Sequence, residues 1–141
     1  MHRSILALAT LAALTGAAQA QESAKTNDNA MLPAIDVGSA KIDGNKITGV
    51  SVTIDKPGYL VIHDEAAGKP PASLGHIAVQ PGTSANISVE ATKPLDPASK
   101  VSLMLHYETN DNTTFDFGPT ATDVDVPVMG AGDTVATVPM P

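Results

Sequence analysis

Short runs of alternating apolar and polar residues constrain this chain most strongly. Over residues 46–55, Val50, Val52 and Ile54 alternate with polar side chains, so an extended strand would place these three on one face. Turn residues interrupt such runs roughly every eight to twelve positions, which is the spacing of antiparallel sandwiches and barrels. Outside residues 1–20 no window shows the periodicity of an amphipathic helix. The sequence therefore predicts an all-β fold.

The predicted strands span 40–43, 46–55, 59–64, 74–79, 85–91, 101–108, 124–128 and 133–138, with a polar loop at 110–114 followed by 115–117. The strand at 59–64 is apolar on both faces, which predicts a central position. We expect an immunoglobulin-like Greek-key antiparallel β-sandwich of about seven to nine strands; a small barrel is the alternative. With two Phe, two Tyr and no Trp, the core is predicted to consist of Val, Ile and Leu, with Phe115 and Phe117 as further core residues.

The first twenty residues have the pattern of a secretory signal peptide. Arg3 precedes an apolar stretch, and Ala18-Gln19-Ala20 supplies a small-x-small cleavage pattern. The alternative is a buried N-terminal helix. We expect an exported chain, periplasmic or extracellular, without stable membrane insertion because the apolar stretch is too short to span a bilayer. Residues 21–33 are predicted to be a flexible lead-in and residues 34–141 a single sandwich domain.

The composition excludes several classes of function. The chain has 15 Asp and Glu residues against 8 Lys and Arg residues, for a net charge of −7. This balance disfavours nucleic-acid binding, because binding phosphate groups needs clustered cations. The absence of cysteine removes disulfides, thiolate nucleophiles and Cys-ligated metal centres. No serine lies in a Gly-x-Ser-x-Gly setting, and the adjacent His63 and Asp64 would point to opposite faces of a strand. We therefore expect that this protein is not an enzyme.

Two groups of residues could bind metal ions. Met104 and His106 share one face of the strand at 101–108, and His63 on a neighbouring strand could join them in a copper site, because thioether and imidazole suit copper. Structural roles for histidine and methionine are the alternative. A second group carries oxygen atoms at alternate positions, as calcium loops do, although Asn-rich hairpin loops show the same pattern without an ion; its residues are Glu108, Asn110, Asn112 and Asp116.

The segments YLVIHDE, LGHIAV, LMLHYETNDNTTFDF and VDVPVM together resemble a family described as a domain of unknown function in exported and surface proteins of archaea and bacteria. Its members show the pattern VVxHD followed by LxAxxHxDxNxxxFxF. The resemblance covers about residues 47–130, with Glu108 and Thr113 where the family often has Asp and Gly. It implies an immunoglobulin-like sandwich and export, and no activity.

Three functional hypotheses follow from these observations. The preferred one is a non-catalytic exported sandwich module that acts by binding an unknown protein or envelope component. The alternative is a periplasmic metal-binding protein that holds copper through His and Met, or calcium through the 108–116 loop. A small hydrolase with an unrecognised carboxylate pair is the third.

Overall fold

The computed structural model describes residues 31–64, 72–96, 101–129, 132 and 134–137. This part of the chain contains eight strands and no helix, so the all-β prediction is confirmed; accordingly, none of its residues belongs to a helix capable of crossing a membrane. The strands are β1 (Ala34–Asp36), β2 (Lys41–Asp43), β3 (Lys46–Ile54), β4 (Gly58–Asp64), β5 (Ala72–Val79), β6 (Gly82–Glu90), β7 (Val101–Tyr107) and β8 (Val135–Thr137).

The strands form two antiparallel sheets of four. In the first sheet β3 is central: it pairs with β6 along one edge, while β1 and β2 share its other edge. The second sheet has the order β5-β4-β7-β8. The central position predicted for the strand at 59–64 is therefore confirmed, since β4 lies between β5 and β7. The immunoglobulin-like Greek-key label stays a prediction.

The core lies between the inner faces of the two sheets. Alternation along each strand aims one set of side chains inward, and these are apolar, so their burial drives the packing of the sheets. The members with no more than 1 % exposure are Ile47, Val50, Val52, Ile54, Leu60, Ile62, Val89, Val101, Leu103 and Leu105. All are Val, Ile or Leu, which confirms the predicted core composition.

Gly58 permits β4 and β7 to approach closely at the start of β4. A Cβ atom built at this position would overlap the carbonyl oxygen of His106 and the Cδ1 atom of Ile54. Gly58 pairs with Tyr107 in the register of these two strands. The absence of a side chain here therefore fixes how the two central strands of the second sheet meet.

Several predicted elements differ from the structure. Residues 124–128 form no strand, because Asp125 adopts a positive φ of 45° and Pro127 has no N–H to donate; a single bridge joins Pro127 to His106. Phe115 and Phe117, predicted as core residues, are half-buried outside the core. The strand Ala34–Asp36 was not predicted.

The remaining boundaries agree with the predictions within three residues, for example Gly82–Glu90 against 85–91. The predicted signal peptide and nearly all of the predicted lead-in lie outside the described residues.

Candidate functional site

The outer face of the second sheet is buried although it points away from the core. Tyr59, Val61 and His63 of β4, and Ser102 and His106 of β7, are each no more than 3 % exposed. A loop that follows β7 folds back over this face. We call residues 108–127 the capping loop. The sandwich therefore has a second, partly polar interior on one side of the second sheet.

Aromatic contacts hold the capping loop against the sheet. The ring of Phe115 lies 5.3 Å from that of Tyr59 and 5.1 Å from that of His106, measured between centroids. The ring of Phe117 lies 4.9 Å from that of His106. These two phenylalanines, predicted as core residues, instead cover the outer face, where edge-to-face contacts with the other rings stabilise the loop.

Asp125 holds the two ends of the capping loop together. Its side chain is fully buried, and its carboxylate accepts hydrogen bonds from the main-chain N–H groups of Thr109, at 3.1 Å, and Asp116, at 2.7 Å. The N–H of Asp125 donates to the hydroxyl of Thr109 at 2.8 Å. A buried carboxylate needs such partners to offset its desolvation. This residue was not singled out from the sequence; its signal was an acidic side chain inside the strand predicted at 124–128.

The capping loop leaves β7 and rejoins it at adjacent positions. The N–H of Tyr107 donates to the carbonyl of Val126 at 3.0 Å, and the N–H of Val128 donates to the carbonyl of Leu105 at 2.9 Å. Residues 126–128 thereby continue the edge of the sheet beyond β8. The loop begins and ends on the same stretch of one strand.

His63 and His106 meet beneath the capping loop. Their Nε2 atoms are 3.3 Å apart, and both side chains are buried. The Nδ1 atom of His106 lies 2.6 Å from the carbonyl oxygen of Asp125. A carbonyl oxygen only accepts, so Nδ1 of His106 carries the proton and, in the neutral ring, Nε2 carries a lone pair. That lone pair is directed at His63.

Burial lowers the pKa of His106 to about 4, because the charged imidazolium would lose its hydration. The hydrogen bond to Asp125 opposes this shift, and the neighbouring His63 adds to it. His106 is therefore neutral at neutral pH, and its Nε2 atom can accept a hydrogen bond or coordinate a metal ion.

Met104 occupies the strand position between the two histidines. In the register of β4 and β7, Tyr59 pairs with His106, Val61 with Met104, and His63 with Ser102. The two imidazoles thus reach toward each other along the sheet, on the face that Met104 shares. Met104 is half-buried. Of the three predicted copper ligands, the structure brings His63 and His106 into contact and places Met104 beside them on the same face.

Other ligands of the usual kinds do not complete this group. Among the described residues, no set of three or more His, Asp or Glu side chains could hold a metal ion. His76 lies on β5, with its ring 5.0 Å from Phe115 and 5.8 Å from Tyr59. A metal site at the histidine pair would therefore depend on the thioether of Met104.

The predicted calcium residues lie together in the capping loop. Asp116 accepts hydrogen bonds from the amide nitrogens of Asn110, at 3.1 Å, and Asn112, at 2.5 Å. These bonds lower the pKa of Asp116. The side-chain oxygen of Asn112 accepts from the N–H of Thr114 at 2.8 Å. In this arrangement the two amides present nitrogen rather than oxygen to the carboxylate, and the calcium site stays a prediction.

Glu108 connects the start of the capping loop to β4. Its carboxylate accepts a hydrogen bond from the hydroxyl of Tyr59 and another from the N–H of Asn110 at 3.0 Å. The bond from Tyr59 is the main cause that lowers the pKa of Glu108. Burial, together with this carboxylate, raises the pKa of Tyr59. Both groups keep their neutral-pH protonation states over a wide range of pH.

A groove lies on the first sheet, beside β1. It has a volume of about 480 Å³, and its lining includes Asp36, Ser51, Thr53 and Thr83. The carboxylate of Asp36 accepts the N–H of Gly38 at 2.8 Å. This groove brings no histidine or methionine together, so the chemistry-bearing side chains concentrate on the opposite side of the sandwich.

The fold and the site define a class: an antiparallel two-sheet β-sandwich whose second sheet is covered on its outer face by a polar loop. The chain belongs to the family described as Domain of unknown function (DUF7282), whose model matches residues 33–139. No curated protein and no solved structure shows significant similarity to the chain. The family agrees with the resemblance to an uncharacterised domain, while its sequence pattern and its distribution among organisms stay predictions.

Proposed function

We propose that this protein is an exported, non-catalytic sandwich module that binds a component of the cell envelope through the tip of its capping loop. The tip is defined as residues 109–114. The observation that carries the proposal is that these six consecutive residues are all exposed while internal hydrogen bonds restrain them.

The restraint of the tip favours binding. Asp111 and Thr113 adopt positive φ values of 56° and 61°, which non-glycine residues rarely do. Hydrogen bonds from the tip to Asp116 and Asp125, which both follow it in the sequence, hold this conformation. A loop that is already ordered loses less conformational entropy when it binds, and loops on rigid sheets often carry recognition.

The chemistry of the tip indicates the kind of surface that it would contact. Its sequence, TNDNTT, offers hydroxyl, amide and carboxylate groups and contains neither apolar nor cationic side chains. Such a surface forms hydrogen bonds and attracts cationic groups weakly. We expect a polar partner in the envelope, contacted over a small area.

The positions of the titratable side chains support a role without catalysis. His106 donates to the main chain of Asp125, and Asp125 accepts from the main chain of Thr109 and Asp116. Each of these buried groups therefore stabilises the capping loop, whereas a general base must reach its substrate.

Binding can be tested by cosedimentation with isolated envelopes of the source cells. The variant Asp111→Asn/Thr114→Lys changes the charge of the tip, and Asn tolerates the positive φ at 111. The control Ser88→Lys/Glu90→Gln makes the same charge change on β6, where both residues are exposed. We expect the tip variant to lose about tenfold in affinity and the control to match the wild type. Equal binding by all three proteins, or none by the wild type, contradicts the proposal.

Export needs a separate test. Fractionation of source cells should recover the protein outside the cytoplasm, and N-terminal sequencing should begin at Gln21, the residue after the predicted cleavage pattern. Recovery in the cytoplasm with residues 1–20 retained would refute this part of the proposal.

The alternative function, metal binding, has its own supporting observation in the contact between His63 and His106. It is compatible with binding at the tip.

A further inference from the structure

We propose that His63, His106 and Met104 form a site for a single Cu(I) ion between β4 and β7, beneath the capping loop. The site does not involve the tip residues. It can therefore exist whether or not the tip binds the envelope.

The separation of the two nitrogens suits a shared ion. Two nitrogen ligands that each lie about 2.0 Å from one metal ion, at angles from tetrahedral to trigonal, are about 3.3 to 3.5 Å apart. The Nε2 atoms of His63 and His106 are 3.3 Å apart. A small displacement of the two rings would admit the ion between them.

The second nitrogen of His106 has the partner that a coordinating histidine usually has. Metal-bound imidazoles commonly donate their other N–H to a carbonyl or carboxylate, which fixes the tautomer and the ring orientation. Nδ1 of His106 donates to the carbonyl of Asp125 at 2.6 Å. The capping loop thus orients the Nε2 lone pair toward His63.

Met104 determines which metal the site would prefer. It lies on the shared face at the register position between the two histidines. A thioether is a soft ligand that favours Cu(I), whereas zinc sites use Cys, His, Asp or Glu. No third His, Asp or Glu joins the pair among the described residues, so two imidazoles and one thioether match a low-coordinate Cu(I) ion.

Met104 is the most exposed of the three proposed ligands. His63 and His106 are 1 % and 0 % exposed, but Met104 is half-buried, and Phe115 and Phe117, which contact His106, are half-buried as well. An ion would reach the thioether first and pass from there to the imidazoles.

The competing explanation is a hydrogen bond in which Nε2 of His63 donates to Nε2 of His106. The two explanations differ in what they require of Met104. A hydrogen-bonded pair needs no sulfur ligand and has no reason to bind Cu(I) selectively, so a change at Met104 distinguishes them.

The experiment is an anaerobic titration of the protein with Cu(I) in competition with bicinchoninate, a chromophoric Cu(I) chelator. We expect one Cu(I) per chain. Met104→Leu, a volume-conserving change that should preserve the fold, is expected to weaken binding about tenfold or more. His106→Asn keeps an N–H donor for Asp125 and removes the Nε2 ligand, so its binding should be lost. His76→Asn, which removes the exposed histidine on β5, should bind within about twofold of the wild type.

Three further measurements accompany the titration. Circular dichroism of each variant establishes that it is folded, and thermal unfolding should show a higher Tm for the wild type with Cu(I), because an ion that binds the folded state stabilises it. The same titration with Zn²⁺ should show no comparable uptake.

The proposal is overturned if the wild type takes up no Cu(I), if folded Met104→Leu binds as tightly as the wild type, or if Zn²⁺ binds at least as tightly as Cu(I). Loss of envelope binding in the tip variant with retained Cu(I) uptake would separate this site from the proposed function.

Discussion

The Nδ1 atom of His106 donates a hydrogen bond of 2.6 Å to the main-chain carbonyl oxygen of Asp125. This bond joins a central strand of the second sheet to the far end of the capping loop. Asp125 in turn accepts from the main chain at Thr109 and Asp116. The conformation of the loop therefore depends on one imidazole that is buried beneath it.

Replacing His106 should separate its hydrogen-bonding role from its volume. His106→Ala removes the donor to the buried carbonyl of Asp125 and leaves a cavity, so we expect the free energy of unfolding to fall by about 2 to 4 kcal/mol. His106→Asn keeps a nitrogen donor near the position of Nδ1 and should lose about 1 to 2 kcal/mol. Urea unfolding of metal-free protein at pH 7 measures both. An equal loss in the two variants would show that the bond to Asp125 contributes little.

Acid should destabilise the wild type partly through His106. The pKa of His106 is about 4 in the folded protein and about 6.5 in an unfolded chain. As the pH falls from about 6.5 toward 4, the unfolded chain takes up a proton that the folded protein does not, so the free energy of unfolding decreases by an amount on the order of 3 kcal/mol.

His106→Asn should lack this part of the pH dependence. Glu108 and Asp116, whose pKa values are lowered, add a loss of stability at still lower pH that both proteins share. Urea unfolding of metal-free samples from pH 7.5 to 4 would measure the difference. Parallel curves for the two proteins would contradict the prediction.

Tyr59→Phe should release Glu108 while preserving the aromatic packing. The variant removes the hydroxyl that donates to Glu108, so the lowered pKa of that carboxyl should rise toward its ordinary value. NMR titration of the Glu108 side-chain carboxyl measures the change. The control is Tyr107→Phe, which removes a hydroxyl bonded to Asp55 instead and should leave Glu108 unaffected. The interpretation fails if both variants shift the Glu108 pKa equally.

Gly58→Ala should be strongly destabilising because the added methyl would overlap the carbonyl oxygen of His106. Relieving the overlap requires β4 and β7 to separate, so we expect a loss of about 2 kcal/mol or more. Gly118→Ala is the control, since no atom lies within 4 Å of a Cβ atom built there. Thermal unfolding compares the two. A Gly58→Ala protein as stable as the control would mean that the strands are less tightly apposed.

Alternation was sufficient to predict the faces of the strands. Val50, Val52 and Ile54 share the inner face of β3 because side chains alternate along any extended strand. The same rule correctly placed Leu105 and His106 on opposite faces of β7. These features are local, so they can be read without knowing which strands pair.

The rest of the site depends on contacts between distant residues. Alternation placed Met104 and His106 on one face of β7 but carried no information on what covers that face. The contact with His63 requires the β4–β7 register, and the burial of both requires the return of the capping loop. Residues 124–128 look like a strand because their apolar residues alternate, yet Asp125 takes a positive φ to bring its carboxylate to Thr109. Tertiary hydrogen bonds outweigh the local preference there.

The capping loop leaves and rejoins β7 beside the same two residues, Leu105 and Tyr107. Its anchor points are therefore independent of the length of the segment between them, and lengthening such a connection costs little loop-closure entropy. Insertions between Asp111 and Thr113 should be accommodated without rearranging either sheet. The domain thus offers a natural position for the display of an inserted peptide.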